Sequence, residues 1–218
     1  MKNKLLRVYR RLLKTYGTPD RPGLDPVSEM VSTILSQNTN DTNRDRAYDR
    51  LRARFPVWED VRDAPLAEVE EAIRPAGLSA QKAPRIQHAL RTVTEKAGRL
   101  SLDFLRDLPV EEARAWLTSI NGIGPKTAAI ILLFSLDMPA FPVDTHVHRV
   151  TGRLGIIGPR VSAEQAHAIL ESLAPPDIYL PLHMLLITHG RRTCHARNPD
   201  CSACPITDLC DYYAVSGH

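Results

Sequence analysis

The sequence has no cysteine in its first 193 residues, few aromatic side chains and no long hydrophobic run. Phe, Trp and Tyr together make up 6% of the 218 residues. The longest apolar stretch runs from Ala128 to Leu136, whereas a helix that spans a membrane needs about 20 apolar residues. A membrane protein is therefore not expected, and a composition that is 43% hydrophobic and 24% charged is ordinary for a soluble globular chain.

Lysine is scarce as well. Of the 28 basic residues, 22 are Arg and six are Lys, and the net charge of +3 gives only a mild bias toward polyanions. An amine can act as a nucleophile, whereas a guanidinium cannot. A lysine at a special position in this chain therefore raises a question of chemistry.

Strand-type alternation of apolar and polar residues is almost absent. Apolar residues instead recur at helical spacing, and helix starts are marked by Asp25 before Pro26 and by Ser162, which forms a capping-box pattern with Gln165. We therefore predict an all-α fold of many short helices joined by turns that contain Pro or Gly. The apolar stripes that carry this prediction lie over residues 5–13, 27–35, 47–55, 66–73, 86–97 and 166–173.

All four cysteines lie in the last 25 residues, at Cys194, Cys201, Cys204 and Cys210. Disulfides belong mainly to secreted chains, and the charged N-terminal segment lacks the features of a signal peptide, so we expect reduced thiols. The spacing C-x6-C-x2-C-x5-C has one tight knuckle, whereas structural zinc sites usually have two. It does not match the ferredoxin spacings either. The residues alone leave zinc and a 4Fe-4S cluster open.

A glycine-rich turn, Asn121-Gly122-Ile123-Gly124, joins two segments with helical patterns. Its glycines permit positive φ and leave backbone amides uncovered, and the following helix adds unpaired amide donors and its positive dipole end. Together these features predict a cradle for one phosphate of a nucleic acid. A nucleotide P-loop is excluded because Pro125 precedes the lysine and no strand lies upstream. An ordinary tight turn with a C-cap glycine is the simpler alternative.

Three segments in this order resemble the endonuclease III family of helix-hairpin-helix DNA glycosylases. They are the hairpin Ile120–Ala128, the segment Val143–Val150 and the four-cysteine segment, and the resemblance runs from about Val27 to Cys210. It implies a 4Fe-4S cluster on the four cysteines. It also implies a monomeric, cytoplasmic enzyme, associated with the nucleoid, whose partner is double-stranded DNA containing damaged pyrimidines or abasic sites.

The resemblance further implies two helical lobes, a six-helix barrel and an iron-sulfur cluster lobe. Residues 1–20 would form an N-terminal helix that packs with the C-terminal lobe. Residues 21–137 would form the barrel, with the helix-hairpin-helix at about 110–135, and residues 138–218 the cluster domain. Turn-rich breaks at Gly17–Gly23 and Asp137–Pro142 agree with these boundaries.

By the same resemblance, Lys126 and Asp144 are the catalytic residues of a bifunctional glycosylase and lyase. Lys126 would attack the sugar, expel an oxidised pyrimidine and form a Schiff base, and β-elimination would then cut the strand. Asp144 would stabilise the positive sugar. The simpler alternatives are a phosphate contact for Lys126 and a helix N-cap for Asp144.

The resemblance also implies a set of DNA contacts. Leu78 matches an apolar wedge, and Gln37 and Asn38 compete for the role of a polar plug that fills the gap left by the extruded base. An exposed turn leucine and a helix end are the simpler readings of these positions. The remaining candidate contacts are Asn121, Gly122, Ile123, Gly124 and Thr127 in the hairpin, together with His146 and Arg197.

Two other functions stay open. A monofunctional mismatch glycosylase would remove a base without cutting the strand, although its adenine-specific branch lacks a lysine at this position and carries an additional C-terminal domain. A non-catalytic DNA-binding protein stapled by zinc would use the hairpin only as a phosphate clamp.

Overall fold

The computed structural model describes residues 1–20 and 23–215. Within them the chain is helical and contains no strand, so the all-α prediction is confirmed. The α-helices are, in chain order, α1 (Lys2–Tyr16), α2 (Pro26–Ser36), α3 (Asp41–Arg54), α4 (Trp58–Asp63), α5 (Leu66–Ile73), α6 (Ser79–Ala97), α7 (Val110–Thr118), α8 (Pro125–Ser135), α9 (Thr145–Arg153), α10 (Ala163–Leu173), α11 (Tyr179–Arg192) and α12 (Asp211–Val215).

The chain divides into two compact units. One consists of Met1–Pro22 together with Pro139–His218, and the other of Gly23–Met138. Residues 21 and 22, which belong to the predicted break at Gly17–Gly23, lie outside the described residues. No helix in the described ranges is long and apolar enough to cross a membrane.

The unit Gly23–Met138 is built around α2 and α8, which pack on each other. In α8 every residue from Thr127 to Ser135 is buried, as expected for a helix that is apolar on all sides. The start of α2 is fixed by Asp25, whose carboxylate accepts the amides of Val27 and Ser28 at 3.1 and 3.0 Å. This confirms the predicted N-cap.

The surrounding helices of this unit place two surface turns beside its core. Helix α6 packs against α2, α4 and α5, and it begins at Ser79 with Pro84 inside it. The 3₁₀ turn Arg74–Ala76 joins α5 to α6. Helix α7 packs against α8, and these two helices flank the glycine-rich turn.

The other unit is built around α9 and α11, with α1 packed on α11 and with α10 and α12 packed on α9. The predicted capping box of α10 is present, with Gln165 N to Ser162 Oγ at 3.1 Å and Ser162 N to Gln165 Oε1 at 2.9 Å. Polar contacts tie α1 to the cysteine segment, because Lys4 Nζ lies 2.6 Å from Asp211 Oδ1 and Arg11 Nη2 lies 3.0 Å from Asp208 Oδ2.

Candidate functional site

The glycine-rich turn is a reverse turn closed by the amide of Ile123, which donates to Ile120 O at 3.0 Å. Gly122 occupies its third position with φ +93°, a conformation that side chains other than glycine rarely adopt. Gly124 differs from the expectation, because its φ of −89° and ψ of 178° are open to any residue. A Cβ at Gly124 would meet no atom within 4 Å.

Gly124 is therefore not required by backbone conformation or by packing within the described chain. It is the N-cap of α8, and no side chain caps this helix. In the part of the chain that the structure describes, the amides of Gly124, Lys126 and Thr127 have no hydrogen-bond acceptor. The arrangement leaves a group of amide donors at the positive end of a helix, which is a general anion-binding device.

The side chains around this group differ in exposure. Asn121 and Lys126 are exposed, whereas Ile123 and Thr127 are buried. Ile123 and Thr127 can therefore offer an external ligand only their backbone atoms. The amine of Lys126 makes no hydrogen bond or ion pair with another residue of the described ranges, so its position leaves it available to a ligand at the start of α8.

Leu78 and Asn38 share an unusual backbone conformation. Their φ angles are +51° and +54°, and both side chains are exposed, that of Leu78 by 47%. A left-handed leucine carries strain, and such strain concentrates at functional sites. Leu78 thus presents an apolar side chain on the surface of its unit at a cost in backbone energy.

Gln37 is half-buried and is engaged by a residue that sequence reasoning missed. Arg85 Nη1 donates to Gln37 Oε1 at 3.3 Å, and the Arg85 stem lies 3.7 Å from the position a Cβ would take at Gly122. Arg85 thereby links the segment after α2 to the hairpin. Its position on an exposed face of α6 gave no signal of this role.

Asp144 is the N-cap of α9, as the N-cap alternative predicted, since Oδ1 accepts the amide of Val147 at 2.7 Å. His146, on the first turn of α9, is half-buried, and its Nδ1 lies 3.0 Å from Arg149 Nη2. Burial is the main cause of a lowered pKa at His146; the Asp144 carboxylate opposes this effect, and the charge of Arg149 adds to it. His146 is therefore a neutral acceptor in this geometry. Asp144 and Lys126 belong to different units.

The four cysteines are free thiols and each is partly buried. In residues 1–20 and 23–215, no three Cys, His, Asp or Glu side chains are arranged to hold a single metal ion. All four thiols instead line one common pocket. A 4Fe-4S cluster binds one cysteine on each iron, so it fits ligands that surround a volume better than a mononuclear zinc ion does.

Burial raises the pKa of the Cys204 thiol to about 11 and also raises that of Cys201. Binding of iron must therefore displace thiol protons. His189 lies beside this pocket, with Nε2 3.8 Å from Cys204 Sγ and Nδ1 3.0 Å from the Tyr16 hydroxyl. Burial lowers the pKa of His189 to about 4, so its ring is neutral at pH 7.

Two arginines of α9 hold the start of the cysteine segment. Arg153 contacts Cys194 Sγ at 3.2 Å and donates to the carbonyls of His195 and Ala196 at 2.6 and 3.0 Å. Arg149 donates to Cys194 O at 3.0 Å. The two were not predicted, although residues four positions apart share one face of a helix. Arg197 follows in the same loop and is exposed.

Comparisons with known proteins agree with this architecture. Residues 31–176 match the family model of the HhH-GPD superfamily base excision DNA repair protein, and residues 194–210 match the iron-sulfur binding domain of endonuclease III. Endonuclease III of Thermotoga maritima is 34% identical over 193 residues, which is 88% of this chain and 86% of that protein.

A candidate DNA glycosylase of Arabidopsis thaliana, At3g47830, is 39% identical over 162 residues, or 74% of this chain. The chain spans 55% of the length of that relative. A solved endonuclease III trapped in a covalent intermediate with DNA has a TM-score of 0.86 and 26% identity, over 98% of this chain and 97% of that one.

The match of residues 194–210 to the iron-sulfur binding domain of endonuclease III assigns the four-cysteine segment to iron and sulfur rather than zinc. The cofactor of the chain is a 4Fe-4S cluster. The superfamily match covers most of the chain, and DNA is the partner in the solved neighbour. The chain belongs to the endonuclease III family of DNA glycosylases that act in base excision repair.

Proposed function

We propose that the chain is a bifunctional DNA glycosylase and AP lyase that removes oxidised pyrimidines. The observation that carries this proposal is the setting of Lys126, an exposed amine without an internal partner among the described residues, on the first turn of α8. The amides of Gly124, Lys126 and Thr127, which have no acceptor within the described residues, lie at the same start of α8. A phosphate bound there would bring the adjacent sugar within reach of a flexible lysine side chain.

The chemistry requires the neutral amine of Lys126. Its nitrogen lone pair forms a bond to the sugar C1′ while the glycosidic bond breaks and the base leaves with the bonding electrons and takes up a proton. After the nitrogen has lost one proton, its lone pair forms a double bond to C1′ while the C1′–O4′ bond breaks and O4′ takes up a proton, which gives a protonated Schiff base. Removal of a C2′ proton then expels the 3′ phosphate by β-elimination, and water releases the lysine. The chain supplies the nucleophile, so that one residue serves both steps.

A base inside a duplex is out of reach of such an amine, so the nucleotide must first be extruded, at a cost of a few kcal/mol. We assign the wedge to Leu78, because its exposed apolar side chain is held out by a strained backbone. The gap left by the extruded base is filled from the Gln37–Asn38 segment. Gln37 has an internal hydrogen bond to give up, whereas Asn38 is exposed.

Asp144 is proposed to stabilise the positive charge that develops on the sugar, which a carboxylate can do without changing its protonation state. His146 and Arg197 are proposed as DNA contacts. The cluster is proposed to cross-link the cysteine segment and so to order the loop that carries Arg197. We expect the protein to act as a cytoplasmic monomer, and light scattering of the purified protein tests the oligomeric state.

The test is covalent trapping with borohydride on duplexes that contain an abasic site. The wild type should give a covalent adduct and cut the strand, whereas Lys126→Gln should bind the duplex without either reaction. Lys14→Gln, which changes an exposed lysine of α1, is the matched control and should react as the wild type does. A wild type that excises bases but gives no adduct would identify a monofunctional enzyme instead.

The substrate class is tested separately. Single-turnover excision is measured on duplexes that carry an oxidised pyrimidine, a mismatched thymine or an oxidised purine. The proposal requires the oxidised pyrimidine to react fastest. Preference for the mismatched thymine would leave the lyase chemistry intact and refute the substrate assignment.

A further inference from the structure

The second unusual lysine of the chain is Lys82, which is 1% exposed. Its ammonium donates to Leu35 O and Ala76 O, both at 2.8 Å. No ion pair in the described residues involves Lys82, and burial lowers its pKa. Burial of an ammonium without a carboxylate is costly even when it is hydrogen-bonded. An apolar residue would fill the same space at lower cost, so the core alone does not explain this lysine.

The two acceptors lie beside the segments that carry the proposed DNA-inserting residues. Leu35 O is in the last turn of α2, directly before Gln37 and Asn38, where the negative end of the helix dipole favours a cation. Ala76 O ends the 3₁₀ turn that precedes Gly77 and Leu78. One buried ammonium therefore bonds to two surface segments of the same unit.

Lys82 also contacts the strained turn that carries Leu78. Its side chain bonds to the carbonyl of Ala76, and its own backbone amide donates to Leu78 O at 2.9 Å. Between these two carbonyls lie Gly77 and Leu78, with φ of +68° and +51°. A left-handed leucine persists only where its surroundings over-determine its conformation. The side chain of Lys82 provides that determination before the turn, and the first backbone bond of α6 provides it after the turn.

We propose that Lys82 is a positioning residue for base extrusion, which locks the Gly77–Leu78 turn to the end of α2 so that wedge and plug enter the duplex at a fixed separation. The inference rests on the proposed wedge function of Leu78. Lys82 does not touch DNA or the reacting sugar. Its effect should therefore fall on extrusion of a paired base and not on the chemistry at a sugar that has already lost its base.

A double-mutant cycle tests this coupling. Lys82→Met keeps an unbranched stem of similar shape but removes the amine donor, and Leu78→Ala removes the wedge. Single-turnover rates are measured on a duplex with an oxidised pyrimidine and on a duplex with a preformed abasic site. We expect each single variant to slow base excision roughly tenfold. Abasic-site cleavage should change less than about twofold, since an abasic nucleotide has less stacking to lose.

The expected signature is non-additivity. In the Leu78→Ala background, Lys82→Met should slow excision by less than about twofold, because the wedge it positions is already gone. Val93→Ala is the stability control, since Val93 is fully buried on the same helix. Its cavity should lower stability while the ratio of excision to abasic-site cleavage stays at the wild-type value.

The outcomes separate the two proposals. Normal excision by Leu78→Ala would refute the wedge itself. Slow excision by Leu78→Ala with an additive effect of Lys82→Met would overturn only the positioning role. If Lys82→Met does not fold, Lys82→Gln, which keeps one amide donor, replaces it in the cycle. If neither variant folds while Val93→Ala does, Lys82 is a folding residue, and the positioning role is also overturned.

Discussion

Replacement of Gly124 by serine should separate the stability of the hairpin from its ability to bind DNA. Gly124 is the N-cap of α8, its φ of −89° suits any residue, and a Cβ there meets no atom within 4 Å. Serine is a better N-cap than glycine by a few tenths of a kcal/mol, because its hydroxyl accepts an amide of the first turn. We therefore expect Gly124→Ser to fold at least as stably as the wild type.

The same hydroxyl should weaken DNA binding. It would occupy the amides of Lys126 or Thr127, which have no acceptor within the described chain, and its Cβ would stand where a phosphate oxygen has to approach. A hydrogen bond to a charged group contributes about 1.5–3 kcal/mol, so affinity should fall roughly tenfold to a hundredfold. Because the amides carry no net charge, the slope of log K against log salt should stay close to the wild-type value, so the loss should appear in affinity at every salt concentration.

Gly122→Ser is the matched control two residues away. Its φ of +93° costs a residue with a side chain about 1–2 kcal/mol, which corresponds to roughly 2–8 °C in Tm for a chain of this size. Calorimetry and anisotropy titrations on a duplex with an abasic-site analogue measure both quantities. If Gly124→Ser binds this duplex with wild-type affinity, the amides at the start of α8 do not hold a phosphate.

Five further substitutions, at four positions, address the remaining site residues. Asp144→Asn keeps an N-cap that is as good as aspartate, so α9 should retain its stability while base excision falls about a hundredfold or more. Asp144→Ala should in addition lose about 1 kcal/mol of stability. Normal excision by Asp144→Asn would show that the carboxylate is only a cap. In Arg153→Lys, a single ammonium cannot contact Cys194, His195 and Ala196 at the same time. Iron should therefore be lost faster from the purified protein in air, which cluster absorbance follows. An unchanged rate of loss would refute the proposal that Arg153 stabilises the start of the cysteine segment. Gln37→Ala and Asn38→Gly together identify the plug; glycine is used at position 38 because it preserves the positive φ of Asn38. The variant that slows excision without loss of Tm marks the residue that enters the duplex.

Local rules predicted the helices of this chain because each acts over a few residues. Asp25 caps α2, Ser162 and Gln165 close a capping box on α10, and the apolar stripes mark buried faces. Gly124 was misjudged, since the sequence does not reveal which glycine of a pair takes the positive φ. The hairpin is predictable from its turn chemistry. Which of its glycines takes the positive φ, and which one leaves the helix start uncapped, depends on tertiary geometry.

The contacts of Lys82, Arg85 and Arg153 were not predictable for a related reason. Each joins segments that lie far apart in sequence, as from Lys82 to Leu35 and from Arg153 to Cys194. Neither helical periodicity nor motif spacing carries information about such pairs. Cysteine spacing predicted a metal site but not its kind, because the identity of the metal depends on whether the thiols meet at a point or surround a volume.

Lys82 and Lys126, two of the six lysines in the chain, have opposite environments and are proposed to have different roles. Lys82 is enclosed and donates to two carbonyls, and nothing outside the protein can reach its amine. Lys126 is exposed on the first turn of a helix, so its amine is available to a substrate. A nucleophile must be reached by its substrate, whereas a brace must be shielded from water that would compete for its acceptors. Burial therefore excludes Lys82 as the nucleophile, although its lowered pKa would otherwise favour it. Lys126 combines an exposed amine with the uncapped start of α8, which makes it the candidate for Schiff-base chemistry.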